Sequence, residues 1–456
     1  MNNNKEFQWV CQPKAEKFVL DFVEYATQSN QTIADLQSDL LGKTSTRLFD
    51  WLDHIVLDNT PKITNELEES GYVIQKSDTP DQVYHHPGAQ LPRVVLRKSP
   101  KEPLGLAVSV DHISDFLMTH GGSAAIKIEG SVFGCYRRCK ISEENGVSLW
   151  LVERRGTQTI KPTMEDPQTI EKYLKAVEQW QTKLRNLENE NEAIGKAIAL
   201  AEELVRTVGR DRAAWTVMEV ERSYWQNRNT AGQLQKNRQD RLGMGWANHD
   251  HHTFRSSRAN FAKLVRLFEI LGFHCRERYY TGKEAGWGAQ IMENPICRLV
   301  LFLDVDLGED EITQDFAHEP LPKLDKVGTI GLWCGLHGDS ILHGGMHHLE
   351  AQFMFDDLAH DLSKVGVKMM KPFSSFPYLM QAFTEGDMWP VDPKRIQKLL
   401  IEGKISTEHA EKFRTQGAIG SHLENLQRRE GFKGFNQKNV SLIIKKTDPR
   451  LTIADG

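Results

Sequence analysis

The feature that most restricts the fold is a segment order that recurs four times: a strand, a helix ended at glycine, then further strands. It first appears in LFDWLDHIVLDNTPKITNELEESGYVIQK. There the pattern predicts a strand over Leu52–Leu57, a helix started at Thr60-Pro61 and stopped at Gly71, and a strand over Tyr72–Lys76. GLAVSVDHISDFLMTHGG repeats the order, with Asp111 placed to cap a short helix before the strands around Ala125, Phe133 and SLWLVERRG. In WANHDHHTFRSSRANFAKLVRLFEILGFHCRERYY the helix runs from about Ala259 to Leu271 and stops at Gly272, and RLVLFLDVDL closes the unit. MHHLEAQFMFDDLAHDLSKVGVKMM begins the fourth unit. A helical insertion from Asp392-Pro393 through about Leu426 separates its later strands, and NVSLIIKKT is the expected closing strand.

Between the second and third units, residues 166–240 are charged, Gln-rich and nearly free of proline. Ile170, Leu174, Val177, Trp180, Leu184 and Leu187 recur there at spacings of three and four, which predicts a helical arm. Such an arm could pack within the chain or serve a homodimer. The expected class is α+β, with tandem βαβββ modules forming half-open mixed sheets and a helical arm between two halves. The domains expected are N-terminal helices over 1–44, a two-module domain over 45–165, the arm over 166–240, and a second domain over 241–456 carrying the insertion at about 392–426.

Composition removes several function classes. With 57 basic against 62 acidic side chains and no basic block, nucleic acid is not an expected partner. MNNNKEFQWV has no apolar leader core and no stretch is apolar enough to span a bilayer, so a cytoplasmic protein without membrane contact is expected. Six cysteines (Cys11, Cys135, Cys139, Cys275, Cys297, Cys334) contain no CxxC pair, which suits a reducing compartment.

The chemistry is carried by which strand face holds polar groups, since side chains alternate with period two. In HDHHTFRS one face carries His249, His251, Thr253 and Arg255, while His252 and Phe254 share the other. In MHHLEAQFMF, His348, Glu350 and Gln352 share a face opposite His347, Leu349, Ala351 and Phe353. Imidazoles suit a borderline metal, and a guanidinium suits a substrate carboxylate. A second metal reading groups Cys334, His337, His343 and His347, whose residue types suit structural zinc although their spacing matches no standard finger.

The DHHTFRS strand followed by LGF and HCRERYYTG, together with MHHLEAQ, resembles the vicinal-oxygen-chelate superfamily, and within it the 2-oxoadipate dioxygenase/decarboxylase family. The resemblance covers about half the chain and rests on short motifs. It implies a ferrous ion, with manganese or zinc as alternatives, held by His251 and His348, and Arg255 as the clamp for a small 2-oxo acid. NVSLIIKKT offers Ile443 and Ile444 where the family places its Glu ligand, so the third ligand is expected at Glu350, with Asp304 and Glu153 as alternatives. WLDHIVLD and LWLVERRG resemble the same strands in the amino-terminal half. Asp58 stands four residues after His54 and GLAVSV has no histidine, so His54 and Glu153 read as remnants.

Two functions follow. One is a metal-dependent oxygenase or lyase acting on a small 2-oxo acid, with His251, His348 and Glu350 on the metal and Arg255 on the substrate. The other is a non-catalytic descendant of the same fold that binds a ligand or serves as a scaffold.

Overall fold

The computed structural model describes residues 9–77, 79–121, 126–186, 188–283, 285–436 and 447–450; within strands, the side chains of His249 and Asp250 are not described. Two helices open the chain, α1 (Pro13–Ser29) and α2 (Gln31–Thr44), separated at Asn30, whose side chain accepts the Ile33 N–H as an N-cap. Their inner residues, among them Val19, Phe22, Ile33 and Leu40, pack on the first sheet.

That first sheet is built from β1 (Leu52–Asp58), α3 (Pro61–Glu69), β2 (Val73–Gln75), β3 (Gln82–His85), β4 (Arg93–Arg97), β5 (Leu104–Ser109), α4 (Ile113–Thr119), β6 (Ile128–Glu129), β7 (Tyr136–Glu144) and β8 (Val147–Arg154). Its strand order is β2-β3-β4-β1-β5-β8-β7-β6, with β1 parallel to β4, β5 parallel to β8, and β1 antiparallel to β5 at the centre. Each module therefore folds its last strand back beside its first, and two modules join through their first strands. Thr60 caps α3 as its position before Pro61 predicts. Asp111 does not cap α4; its carboxylate accepts the Trp246 N–H at 2.7 Å and pairs with Arg222, tying the first sheet to the segment that leads into the second.

The arm consists of α5 (Pro167–Gln181), α6 (Glu190–Val208), α7 (Arg210–Gln226) and α8 (Thr230–Asp240). It packs within the chain: Ala176, Trp180, Ala197, Leu204 and Val217 join one core with the helix and strands of the third module. The buried stripe of α5 is Tyr173, Ala176 and Trp180 rather than the expected Leu174, which is exposed. Leu184 lies beyond the helix end and is exposed too, and Leu187 lies outside the described residues.

The second sheet repeats the plan with β9 (His249–Arg255), α9 (Phe261–Ile270), β10 (His274–Tyr280), β11 (Trp287–Asn294), β12 (Leu299–Asp306), α10 (Thr329–His337), β13 (His348–Gln352), α11 (Phe355–Ser363), β14 (Ser374–Phe376), β15 (Leu379–Phe383), β16 (Asp387–Trp389), α12 (Pro393–Ile401), α13 (Thr407–Gln416) and β17 (Ala418–Arg428). The order is β10-β11-β12-β9-β13-β17-β15-β14, with β16 also on β17. The third module's β12 runs parallel to β9 and the fourth's β17 runs parallel to β13, with β9 and β13 antiparallel between them. Helix α9 turns Phe261, Leu264, Val265, Leu267 and Phe268 onto this sheet, each contributing about 1.5–3 kcal/mol of burial.

One expectation changes here. The insertion is helical through Gln416, but 418–428 is a strand, so β17 returns beside β13 in the position that NVSLIIKKT was expected to fill. Leu423 and Leu426 stand three apart, a helical spacing that conceals the strand in the sequence. Residues 439–446 of NVSLIIKKT lie outside the described residues.

Candidate metal and anion site

Register in the second sheet decides which side chains meet. In the β9–β13 pair Thr253 stands opposite His348, in β9–β12 Asp304 stands opposite Arg255, and in β13–β17 Glu350 stands opposite Glu424. These groups line one cavity of about 50 Å³, with Phe302, Phe373, Phe383, Phe435 and Trp287 supplying apolar walls. Such a space suits a few water-sized groups rather than a large ligand.

His348, Glu350 and Glu424 are all buried, and one ligand atom from each lies within 4.8 Å of the others. His348 Nε2 is 3.2 Å from Glu350 Oε1, 3.3 Å from Glu424 Oε2 and 2.8 Å from Thr253 Oγ1. The other imidazole nitrogen, Nδ1, is buried without a partner among the described residues. His251 adjoins this trio through Glu350, with Nδ1 2.6 Å from Oε2, and its ring meets Phe302 edge to face at 5.1 Å. Gln381 Nε2 donates to Glu424 Oε1 at 3.2 Å, fixing that carboxylate.

The electrostatics are uneven. Burial, followed by the neighbouring Glu350 charge, pushes the Glu424 carboxyl well above its ordinary value. Burial acts on Glu350 in the same sense, but His251 and then His348 outweigh it and hold that carboxyl below its ordinary value. Burial lowers His348, opposed by Glu350. Two carboxylates facing one another out of water favour either a retained proton or a cation between them. A His-Glu-Glu donor set in which two carboxylates converge on one imidazole nitrogen, Nε2 of His348, fits a divalent first-row metal.

Arg255 is buried, with Nε and Nη1 meeting no acceptor among the described residues. Its guanidinium lies 5.6 Å from the Trp333 ring centroid, and burial, against the pull of Asp304, lowers it to about 10. Asp304 is pushed up to about 7 by burial, only partly opposed by Arg255. A buried guanidinium with unused donors in a cavity is suited to a planar carboxylate.

The structure thus brings Thr253, Arg255, Asp304, His348 and Glu350 to one face, with His251 hydrogen-bonded to Glu350; the side chain of His249 lies outside the described residues. Glu424 is the group that sequence reasoning missed. A signal was present, because His348-Leu349-Glu350 and His422-Leu423-Glu424 are the same tripeptide, standing residue for residue across the parallel ladder.

Other candidates do not converge. Glu153 accepts from Arg137 at 2.8 Å and from the Ile113 N–H at 2.7 Å, and pairs with Arg155 at 2.8 Å in the first sheet. Its oxygens are thereby committed away from His251 and His348. His54 is bound to Asp53 at 2.6 Å, and Asp53 also holds Arg154. The zinc reading fails as geometry: His337 Nε2 meets the Ile419 carbonyl and His347 Nδ1 the Gly420 carbonyl. With Cys334 and His343 they form no ligand group among the described residues.

The first and last strands of each module run parallel, and the modules pair through antiparallel first strands in both halves. This is the arrangement of tandem βαβββ modules joined in pairs through their first strands. No family model matches the sequence, and no curated protein matches it significantly. Among solved structures the chain is similar to a triple variant of 4-hydroxymandelate synthase from Streptomyces coelicolor, at 12% identity, covering 87% of this chain and 98% of that one with a TM-score of 0.29. It is also similar to methylmalonyl-CoA epimerase from Mycobacterium tuberculosis, at 12% identity, covering 40% of this chain and 87% of that one with a TM-score of 0.23. A xylose isomerase-like TIM barrel/4-hydroxyphenylpyruvate dioxygenase fusion protein matches at 11% identity, over 88% of this chain and 53% of that one, with a TM-score of 0.22. The tandem βαβββ plan of the chain rests on its own strand order and register. No helix among the described residues is long and apolar enough to cross a membrane.

Proposed function

We propose that the second half is a metal-dependent oxygenase or lyase acting on a small 2-oxo acid. The observation that carries this reading is the meeting of His348, Glu350 and Glu424 beside a buried guanidinium with unused donors, in one small cavity. His348 and Glu424 would hold the metal, joined by His251 and by Glu350, which now lies against His251. Ferrous iron is the proposed ion, with manganese or zinc as alternatives. A bound divalent ion supplies a Lewis acid that can chelate vicinal oxygens of a 2-oxo acid and, as iron, activate dioxygen.

The chain's own groups do the rest. Arg255 binds the carboxylate and orients the acid. Gln381 fixes Glu424 in place. Asp304, with a value near 7, can hold or release a proton at its carboxyl beside the bound acid around neutrality. The phenylalanine walls surround the charged groups with apolar surface, which strengthens each electrostatic contact inside. The first half, with His54 hydrogen-bonded to Asp53 and Glu153 paired with Arg137, serves as a non-catalytic support.

The test is metal content by plasma mass spectrometry on protein without a His-tag, beside a His251→Ala/His348→Ala double variant. Near-stoichiometric metal in the parent and its loss in the variant are expected. A parent protein that cannot be loaded with ferrous iron, manganese or zinc would overturn the reading.

A further inference from the structure

A second cavity, of about 230 Å³, opens between the two halves and lies apart from the residues of the metal site. One wall comes from β1, β8 and the residues after β5; the other comes from Tyr173, Trp215 and Glu219 of the arm and from the β11–β12 turn at Ile296–Arg298. It is roomy enough for a small metabolite, and the charges around it do not balance.

The imbalance centres on Asp53, a buried carboxylate of β1. Arg154 already claims both its oxygens, with Nε 2.5 Å from Oδ2 and Nη2 2.9 Å from Oδ1, and Arg93 Nη2 adds a third contact at 3.3 Å. Arg298 arrives from the opposite half as the third guanidinium on this one carboxylate. Its Nη1 is 3.4 Å from the Asp53 carbonyl oxygen and 4.0 Å from Oδ2, both longer than a charge-assisted hydrogen bond. The rest of its donor fork meets no acceptor among the described residues. The Arg298 side chain is 36% exposed, whereas Arg93 Nε is buried without a partner, and burial followed by the Arg154 charge lowers the Arg93 guanidinium to about 9.

Elsewhere around the cavity the charges cancel. Asp111 and Glu219 share Arg222, which leaves one carboxylate over, while Arg137 and Arg155 share Glu153, which leaves one guanidinium over. The Asp53 corner alone retains a positive excess. The backbone at Arg298 is left-handed, with φ of 59°, so this arginine is delivered to the cavity at a conformational cost that an ordinary turn residue would not carry.

We propose that this interface cavity binds a small oxyanion, the carboxylate or phosphate of a metabolite, received by the open guanidinium of Arg298 and bridging the two halves. An oxyanion there completes the bidentate geometry that Arg298 lacks and offsets the excess charge around Asp53. The site does not depend on the metal reading, because none of its residues lines the second-sheet cavity.

The test is isothermal titration calorimetry at constant ionic strength, with sodium succinate and inorganic phosphate as the two probes. Full-length parent protein is compared with Arg298→Ala and Arg298→Gln, and with Arg255→Ala to silence the anion donor of the other cavity. Saturable binding of at least one probe is expected in the parent and in Arg255→Ala, weakened about tenfold or more in both Arg298 variants, as for loss of one charged hydrogen bond. Saturation by succinate alone identifies a carboxylate ligand and by phosphate alone a phosphate ligand. Circular dichroism melts that coincide with the parent establish that the Arg298 variants are folded, and Arg298→Gln retains most of the side-chain volume should Arg298→Ala melt early. The proposal is overturned if neither probe saturates the parent, if binding disappears in Arg255→Ala, or if a folded Arg298 variant binds as the parent does.

Discussion

Glu350 and Glu424 stand directly opposite one another on the parallel strands β13 and β17, each the third residue of a His-Leu-Glu tripeptide and each buried. Their proximity makes the metal-free site unfavourable, since burial and the Glu350 charge hold Glu424 protonated above its ordinary range. Glu424→Gln removes that penalty together with a ligand. It is expected to raise the melting temperature of metal-free protein and to abolish the further rise that manganese gives the parent, which should reach about 2.7 kcal/mol at 100 times Kd. Scanning calorimetry with and without manganese reads both effects. A variant still stabilised by the ion would remove Glu424 from the ligand set.

Arg255 carries unused donors in the same cavity but touches none of the three clustered ligand atoms. Arg255→Met should therefore keep its metal while raising KM for a 2-oxo acid by about 10- to 100-fold, the worth of one or two charge-assisted hydrogen bonds. Arg255→Lys should recover only part of this, because an ammonium cannot offer the paired donors of a guanidinium. Steady-state kinetics beside metal analysis separates substrate binding from loss of the ion.

His337 is buried between Trp333 and Trp389 with Nε2 on the Ile419 carbonyl, and burial lowers it from 6.5 to about 3. Because the folded value is depressed, the unfolded chain takes up the proton first as pH falls. The stability is intact above about 6.5 and is lost progressively as pH drops toward about 3, at up to about 1.4 kcal/mol per pH unit. His337→Phe should flatten the acid limb of stability against pH in urea titrations between pH 6 and 4. An unchanged slope would show that other groups govern acid unfolding.

Glu221 of α7 is fully buried and is the counter-charge for both Lys183, at 2.5 Å, and Arg185, at 2.9 Å, while also accepting from Trp180 Nε1 at 2.8 Å. Removing it strands two cations in the arm. Glu221→Ala is expected to cost about 3–5 kcal/mol in urea unfolding, as for any buried pair broken from one side. A loss under about 1 kcal/mol would show that the arm is not tied together at this point.

Much of the architecture was legible because it is locally encoded. Strand alternation placed His251, Thr253 and Arg255 on one face and His348 with Glu350 on another, capping residues marked the starts of α3 and α12, and stop glycines marked the ends of α3 and α9. The mistakes were also local in origin. Asp111 looked like a cap because it precedes a helix, yet its carboxylate serves Trp246 and Arg222 from far along the chain. The Leu423–Leu426 spacing imitated a helix, although β13 and β15 on either side make 418–428 a strand.

The sequence by itself determined the four-module plan and the polar faces of β9 and β13, because helix and strand periodicities act over a few residues. Only the tertiary structure decided that consecutive modules pair, that β17 rather than the expected tail strand returns beside β13, and that Glu424 thereby joins His348 and Glu350. The physical reason is that register between strands distant in sequence is set by which apolar faces can be buried together, a property of the whole sheet that no short window contains.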